Sequence, residues 1–240
     1  MENPEKQLKE YLEKLIFKYL YIHSLHKQVL LISEWERPDR IIAIQIGSFF
    51  FELTLFSFRR TIILELCKFL SEREDKSLLD WLGKAKQNAK ALRPSVYSPG
   101  IKTSDSRRIL KPCEYIKIIE SQISSIHKYD SIIQTLAIRR DKDIAHSDRT
   151  YFNDPKKLHE LFPISDLDIS SLLNVISEIL RRHYSLLFHA DITLEVSSTS
   201  NVDTILTYIR AFDRVWHDKR LTRDFGIRVV EYKQDSTDQN

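Results

Sequence analysis

Residues 136–148 read Leu-Ala-Ile-Arg-Arg-Asp-Lys-Asp-Ile-Ala-His-Ser-Asp, and the groups in this run that can act on a bound molecule are Arg140, Asp141, Lys142, His146 and Asp148. Histidine titrates near neutral pH and can take or give a proton, whereas arginine keeps its charge and offers a planar fork that matches phosphate. A neighbouring carboxylate can orient either one. The set suits acid/base chemistry next to an anion.

The position of these residues sharpens the point. Ile133, Leu136, Ala137 and Ile144 fall at helical spacing and form one apolar stripe, which Arg140 completes at i+7 from Ile133. Burying a guanidinium is costly unless it meets an anion and several acceptors, so a charge here is expected to serve a partner, an interface or a ligand. On one straight α-helix His146 would lie roughly 120° around from Arg140 and about 9 Å further along the axis. Such a helix cannot aim both at one phosphate. Either it breaks near Ala145, or two copies of the chain bring two motifs together across a symmetric interface. Arg139 shares a face with Asp143 and His146, and a simple ion pair there is the competing reading.

The run Arg140-Asp141-Lys142-Asp143-Ile144-Ala145-His146, with Ser147-Asp148 after it, resembles the arginine, polar residue, spacer, histidine signature of the HEPN superfamily, in the form of its abortive-infection AbiU-type branch. Asp141 directly after the arginine and Ala145 directly before the histidine carry the likeness. The resemblance implies an all-α bundle, a homodimer, and metal-independent RNA cleavage at the dimer interface. It also implies a toxin of anti-phage defence, held in check by a neutralising protein partner. It covers about residues 1 to 190, with its specific part at 136–148.

RNA supplies its own nucleophile. Cleavage by the 2′-hydroxyl needs a base for that proton, an acid for the departing 5′-oxygen, and a cation for the charge that builds on the phosphoryl oxygens. The expected roles are His146 as acid/base, Arg140 as phosphate and transition-state stabiliser, and Asp141 as an orienting group, with Asp148, Lys142 and Glu52 in support. No metal or cofactor is expected. The alternative is a non-catalytic helical module that binds RNA or a protein partner, in which Arg140 is a buried ion-pair member and His146 a helix C-terminal residue favoured by the dipole.

The elements that must position the motif are helical. Only 4 glycines and 7 prolines in 240 residues disfavour a turn-rich β architecture. The expected fold is an all-α antiparallel bundle of about five to six helices over 1–190. A small helical or α+β appendage follows over 191–232, and a disordered tail over 233–240. Lys+Arg exceeds Asp+Glu by 37 − 34 = 3, so no field spans the whole molecule and nucleic-acid binding must be local. Two cysteines, Cys67 and Cys113, and an acidic start without a signal peptide indicate a cytoplasmic chain.

Leu8, Leu12, Leu15, Ile16, Tyr19 and Leu20 mark a long amphipathic helix from about Lys6 to Ser33. His23 and His26 stand at i, i+3 on it, but no third ligand is spaced to close a metal site. A second helix opens at Pro38-Asp39 and runs through an apolar stretch, 41–58. That stretch is nearly of membrane length, yet Gln45 and Glu52 would lie in hydrocarbon, so it is expected to fill the centre of a soluble bundle. Glu52 then wants a cation; Arg140, Arg59, Arg60 or another helix can supply it.

Ser77 or Asp75 caps a shorter helix carrying Leu78, Trp81, Leu82 and Ala85 inward, finishing before Pro94. Residues 93–111 form the longest irregular segment, with Arg93, Lys102, Arg107, Arg108 and Lys111 against Asp105 alone; it either follows a phosphate backbone or is merely soluble. Pro112 restarts the helix with Ile116, Ile119, Ile123 and Ile126 inward, and Asp130 caps the one that runs into the motif. Residues 149–163 are polar, with turn chemistry at Asn153-Asp154-Pro155. Ser165 or Asp166 caps a last long helix to about Ala190. Residues 191–196 alternate like a strand, 202–221 are helical, and 227–232 favour extended chain; the arginines of this region are a second candidate surface for RNA.

Overall fold

The computed structural model describes residues 3–33, 38–72, 74–97, 107–145, 155–196, 202 and 204–211. It is an all-α bundle with one short hairpin. The central strut is α1, Pro4–Ser33, whose inward stripe Leu8, Leu12, Leu15, Ile16, Tyr19, Ile22, Val29 and Ile32 is buried throughout. Pro4 sits in the first turn, where its missing N–H costs nothing, and the Asn3 side chain accepts from the Glu5 amide at 3.0 Å. Two further long helices pack along α1: α3, Ser48–Leu70, and α9, Asp166–Phe188.

The second expected helix is two. α2, Pro38–Ile46, and α3 are separated at Gly47, whose carbonyl still accepts from the Phe51 amide at 3.0 Å. Glycine is a poor helix former, and the chain bends there. The apolar stretch is also not the centre of the bundle. Among its described side chains only Ala43, Ile44 and Phe51 are fully buried, whereas Ile46, Phe49, Phe50, Leu53 and Phe56 are exposed, Phe49 at 78%. The N-terminal half of α3 therefore shows an apolar face to solvent. Among the described residues no helix is long and apolar enough to cross a membrane.

α4, Leu78–Gln87, starts where Ser77 accepts from the Asp80 amide at 3.0 Å, and it drives Trp81 into the core, where the indole N–H donates to the Leu8 carbonyl at 2.9 Å. A short α5, Ala89–Leu92, ends at Arg93, which takes the left-handed conformation with φ 44°. The segment read as irregular contains an antiparallel hairpin: β1, Ser95–Tyr97, pairs with β2, Arg107–Ile109, in the register Ser95 with Ile109. Residues 98–106 of that segment lie outside the described residues, Lys102 among them.

α6, Pro112–His127, buries Tyr115, Ile119 and Ile126, with Ile116 and Ile123 packed against the core from its edge. α7, Asp130–Arg139, follows. Asp130 is its first residue rather than its cap, and its carboxylate meets His127 Nδ1 at 3.2 Å. From Arg140 to Ala145 the chain winds as a π-helix. α8, Pro155–Leu161, occupies part of what read as a polar connection; its proline begins the helix instead of ending a turn. Ser165 and Asp168 then form a reciprocal capping box at the start of α9.

α9 ends at Phe188, with His189 left-handed at φ 61°. Residues 191–196 form no strand; they bring Leu194, buried, and Ile192 onto the main core. Residues 204–211 are helical, as expected, and Leu206 joins a smaller cluster with Ile32, Ala43, Ile44 and Phe51. The expected extended stretch 227–232, the arginines beyond 211 and the tail 233–240 lie outside the described residues.

Candidate functional site around the 139–145 turn

The motif sits where α7 passes into the π-helix, packed on α3. π-helical turns hold one extra residue per hydrogen-bonded ring, are rare, and occur mostly at functional sites. The 100° per residue of an α-helix therefore ends at Arg139. The roughly 120° offset between Arg140 and His146 belongs to a straight helix that the chain does not form.

The structure reverses the expected burial of the two arginines. Arg139 is the buried one, 8% exposed, and its Nη2 donates to His159 Nδ1 on α8 at 2.6 Å. Arg140 is not in the core. Its side chain is 28% exposed, and its Nε donates to Asp141 Oδ1 at 2.7 Å. The reason is the helix pitch: with Leu136 facing inward, Arg139 at i+3 stays on the buried face, and the wider turn that follows carries Arg140 to the rim.

Electrostatics place Arg140 at the C-terminal half of α3. The hydrogen bond that Arg140 donates to Asp141 first, against the opposing cost of burial, and then the carboxylate charges of Asp141 and Glu74 hold its proton more firmly than usual. Conversely, burial pushes the Cys67 thiol up to about 11, which keeps it a neutral thiol. Asp141 takes the Nε edge of the guanidinium, and among the described residues nothing takes the Nη edge. That leaves a fork suited to two phosphoryl oxygens.

Glu52 does not pair with Arg140. It is exposed, and it lies 67 − 52 = 15 residues before Cys67 on α3, about 22 Å along the axis at 1.5 Å per residue. Instead it borders a pocket of ≈ 330 Å³ whose wall is Phe56, Arg59, Ile63, Arg139, Leu158 and His159. Of the other cations first considered for it, Arg59 reaches Asp166 at 3.6 Å and Ser33 Oγ at 3.3 Å, and Arg60 lies over the Phe56 ring at 5.0 Å. Lys142 is half-buried on the π-turn. His146 and Asp148 lie outside the described residues.

Arg139 and His159 are the residues that the motif reading missed, and Arg59, considered only as a cation for Glu52, joins them at the pocket. Arg139 was visible as a neighbour of Arg140, with a simple ion pair to Asp143 as its competing reading. His159 had a signal in Pro155, a good first residue for a helix, with Leu158 as its inward position. Among the described residues no group of three or more histidine, cysteine, aspartate or glutamate side chains is placed to hold a metal ion. His26 is buried on α1, and the ring of His23 stands 3.4 Å from the Tyr19 hydroxyl.

A model of the family HEPN_AbiU2, described as AbiU2, matches residues 50–212. No curated protein and no solved structure matches the chain.

Proposed function

The chain belongs to the HEPN_AbiU2 family, and on that premise we propose that it is a metal-independent endoribonuclease of the toxin, anti-phage defence type. The observation that carries the reading is Arg140. It is a rim guanidinium fixed through Nε by Asp141 at 2.7 Å, on a π-turn that leads directly to His146.

In this mechanism the 2′-oxygen attacks the adjacent phosphorus as the bond to the 5′-oxygen breaks. One histidine removes the 2′ proton, and a proton is delivered to the departing 5′-oxygen. The Nη edge of Arg140 meets the charge that builds on the non-bridging oxygens. Asp141 acts by holding that fork, and Lys142 and Asp148 supply charge around it. The products are a 2′,3′-cyclic phosphate and a 5′-hydroxyl.

The protein acts as a homodimer, with the apolar face of α3 against a second copy. Leu53 stands at i+4 from Phe49 and i+3 from Phe50, and Phe56 at i+3 from Leu53, so the four form a continuous exposed strip, and Phe56 joins it to the pocket that holds Arg139 and His159. A two-fold axis beside this strip would set two motifs against one RNA strand, with one His146 as base and the other as acid. Glu52, on the same half of α3, would then face the partner.

The test compares wild type with Arg140→Ala and His146→Ala on RNA in EDTA, with folding checked by circular dichroism. Cleavage by wild type to cyclic-phosphate ends, with loss in both variants, is expected. Products ending in 3′-hydroxyl, or activity abolished by EDTA, would refute the mechanism.

A further inference from the structure

A second pocket, of ≈ 530 Å³, lies between the β1–β2 hairpin and the end of α9, and it shares no lining residue with the pocket beside Arg139. Its polar lining residues are Arg107, Arg108, Arg182, Ser95 and Ser185, over an apolar floor that includes Leu110 and Leu186. Among the described residues no carboxylate lines it.

The wall is built, not incidental. Ser95 is 5% exposed, and its Oγ lies 2.8 Å from His189 Nδ1, while Arg107 donates to the His189 carbonyl. His189 ends α9 in the left-handed conformation, so two bonds pin the hairpin to one helix end. Arg108 is held from outside the pocket by both oxygens of Glu114, at 3.1 and 2.9 Å. Arg182 makes no ion pair among the described residues. Three arginines thus line one pocket, and their shared positive charge favours an anion there. Guanidinium forks match phosphate, and an apolar floor next to them matches a ribose or a base.

We infer that this pocket takes a backbone phosphate of single-stranded RNA, as a docking subsite separate from the Arg140 motif. The inference rests on the RNA-cleaving reading for the identity of the polyanion. A free nucleotide offers the same phosphate chemistry, so the test separates the two sources.

The experiment measures binding of a labelled single-stranded RNA of about 12 nucleotides, 2′-O-methylated so that it cannot be cleaved, by fluorescence anisotropy over a range of salt. Arg182→Ala should weaken binding about 5- to 10-fold and lower the salt slope by about one, and Arg182→Lys should restore most of both. Arg108→Ala should act in the same direction. If both alanine variants bind within twofold of wild type with an unchanged slope, the subsite is refuted. The same result follows if AMP binds as tightly as the RNA and with the same dependence on Arg182, because the pocket is then a nucleotide site.

Cleavage of unmodified RNA is measured in parallel. Wild type that binds RNA through Arg182 but cuts none overturns the nuclease and leaves the docking site standing. Wild type that cuts RNA, with Arg182→Ala indistinguishable from it in binding, overturns the docking site alone.

Discussion

Arg139 Nη2 donates to His159 Nδ1 at 2.6 Å from a guanidinium only 8% exposed, while its neighbour Arg140 turns outward to Asp141 at 2.7 Å. Two adjacent arginines thus belong to different parts of the molecule. A guanidinium has no acceptor, so in this pair the imidazole Nδ1 must be unprotonated and the His159 ring proton sits on Nε2. Arg139 ties α7 to α8 from inside, and Arg140 is left to the rim of the π-turn.

The two arginines should therefore fail in opposite ways. Arg139→Ala removes a charge-assisted bond and the packing of a buried side chain, and should cost about 2 kcal/mol of stability. Arg140→Ala should leave the urea midpoint almost unchanged and abolish cleavage. Urea titration beside an RNase assay reads both. Equal destabilisation by the two variants would show that Arg140 is structural.

Asp141 gives a finer prediction. Its carboxylate holds the Arg140 fork through Nε, so Asp141→Ala frees the side chain to rotate and should lower kcat about 10-fold, in the range expected for a lost positioning bond. Asp141→Asn keeps an oxygen that can accept from Nε and should fall between the two. If both substitutions leave kcat unchanged, Arg140 needs no help to reach the phosphate.

The helices and most of their inward stripes were legible because period and caps agree locally. Leu8 to Ile32 on α1, the Ser77 cap and the Ser165 start of α9 are of this kind. The apolar stretch at 41–58 was misjudged because hydrophobicity does not say what covers a face. Phe49 and Phe51 look alike in the sequence, and only packing decides that one is 78% and the other 3% exposed. The motif itself stood out, but the angular relation of its residues did not, since a 100° step assumes an α-helix and nothing in Arg140 to Ala145 announces the π-turn. Glu52 was placed by charge need alone; fifteen residues along α3 put it with Arg139 and His159 instead. The hairpin was hidden because three-residue strands carry too little alternation to be seen.

The exposed strip on α3 makes the oligomeric prediction specific. Leu53 is 52% exposed between Phe49, Phe50 and Phe56, so Leu53→Asp places a charge at the centre of the strip without touching the core. Sedimentation should show wild type as a dimer and the variant as a monomer that folds but no longer cleaves RNA. Mixing His146→Ala with wild type, after subunit exchange, should give heterodimers with well below half the wild-type rate. A wild-type monomer that cleaves RNA would sink the composite site, and a variant that stays dimeric would move the interface off α3.

The last prediction concerns the core. His183 is fully buried between the Tyr115 hydroxyl, 2.9 Å from Nδ1, and Gln122 Oε1, 2.5 Å from Nε2, with Trp81 edge-on at 4.7 Å between ring centres. With the proton on Nε2, the ring donates to Gln122 and accepts from Tyr115, so the neutral form satisfies both neighbours. Burial, with a smaller push from Arg182, lowers its pKa to about 3. Burial also lowers the pKa of His26 and of His23, so all three act in the same direction. The unfolded chain, with histidines near their ordinary value of about 6.5, binds these protons first as the pH falls. Stability should thus be full above about pH 6.5 and decline steadily below it, with the His183 contribution spread over the window from there to about 3. His183→Gln removes the proton site while keeping a polar group in place. The variant should melt lower than wild type at pH 7.5, and the gap should narrow toward pH 5 in scans of melting temperature against pH. A gap that stays constant between those values would mean that His183 is not the group that titrates.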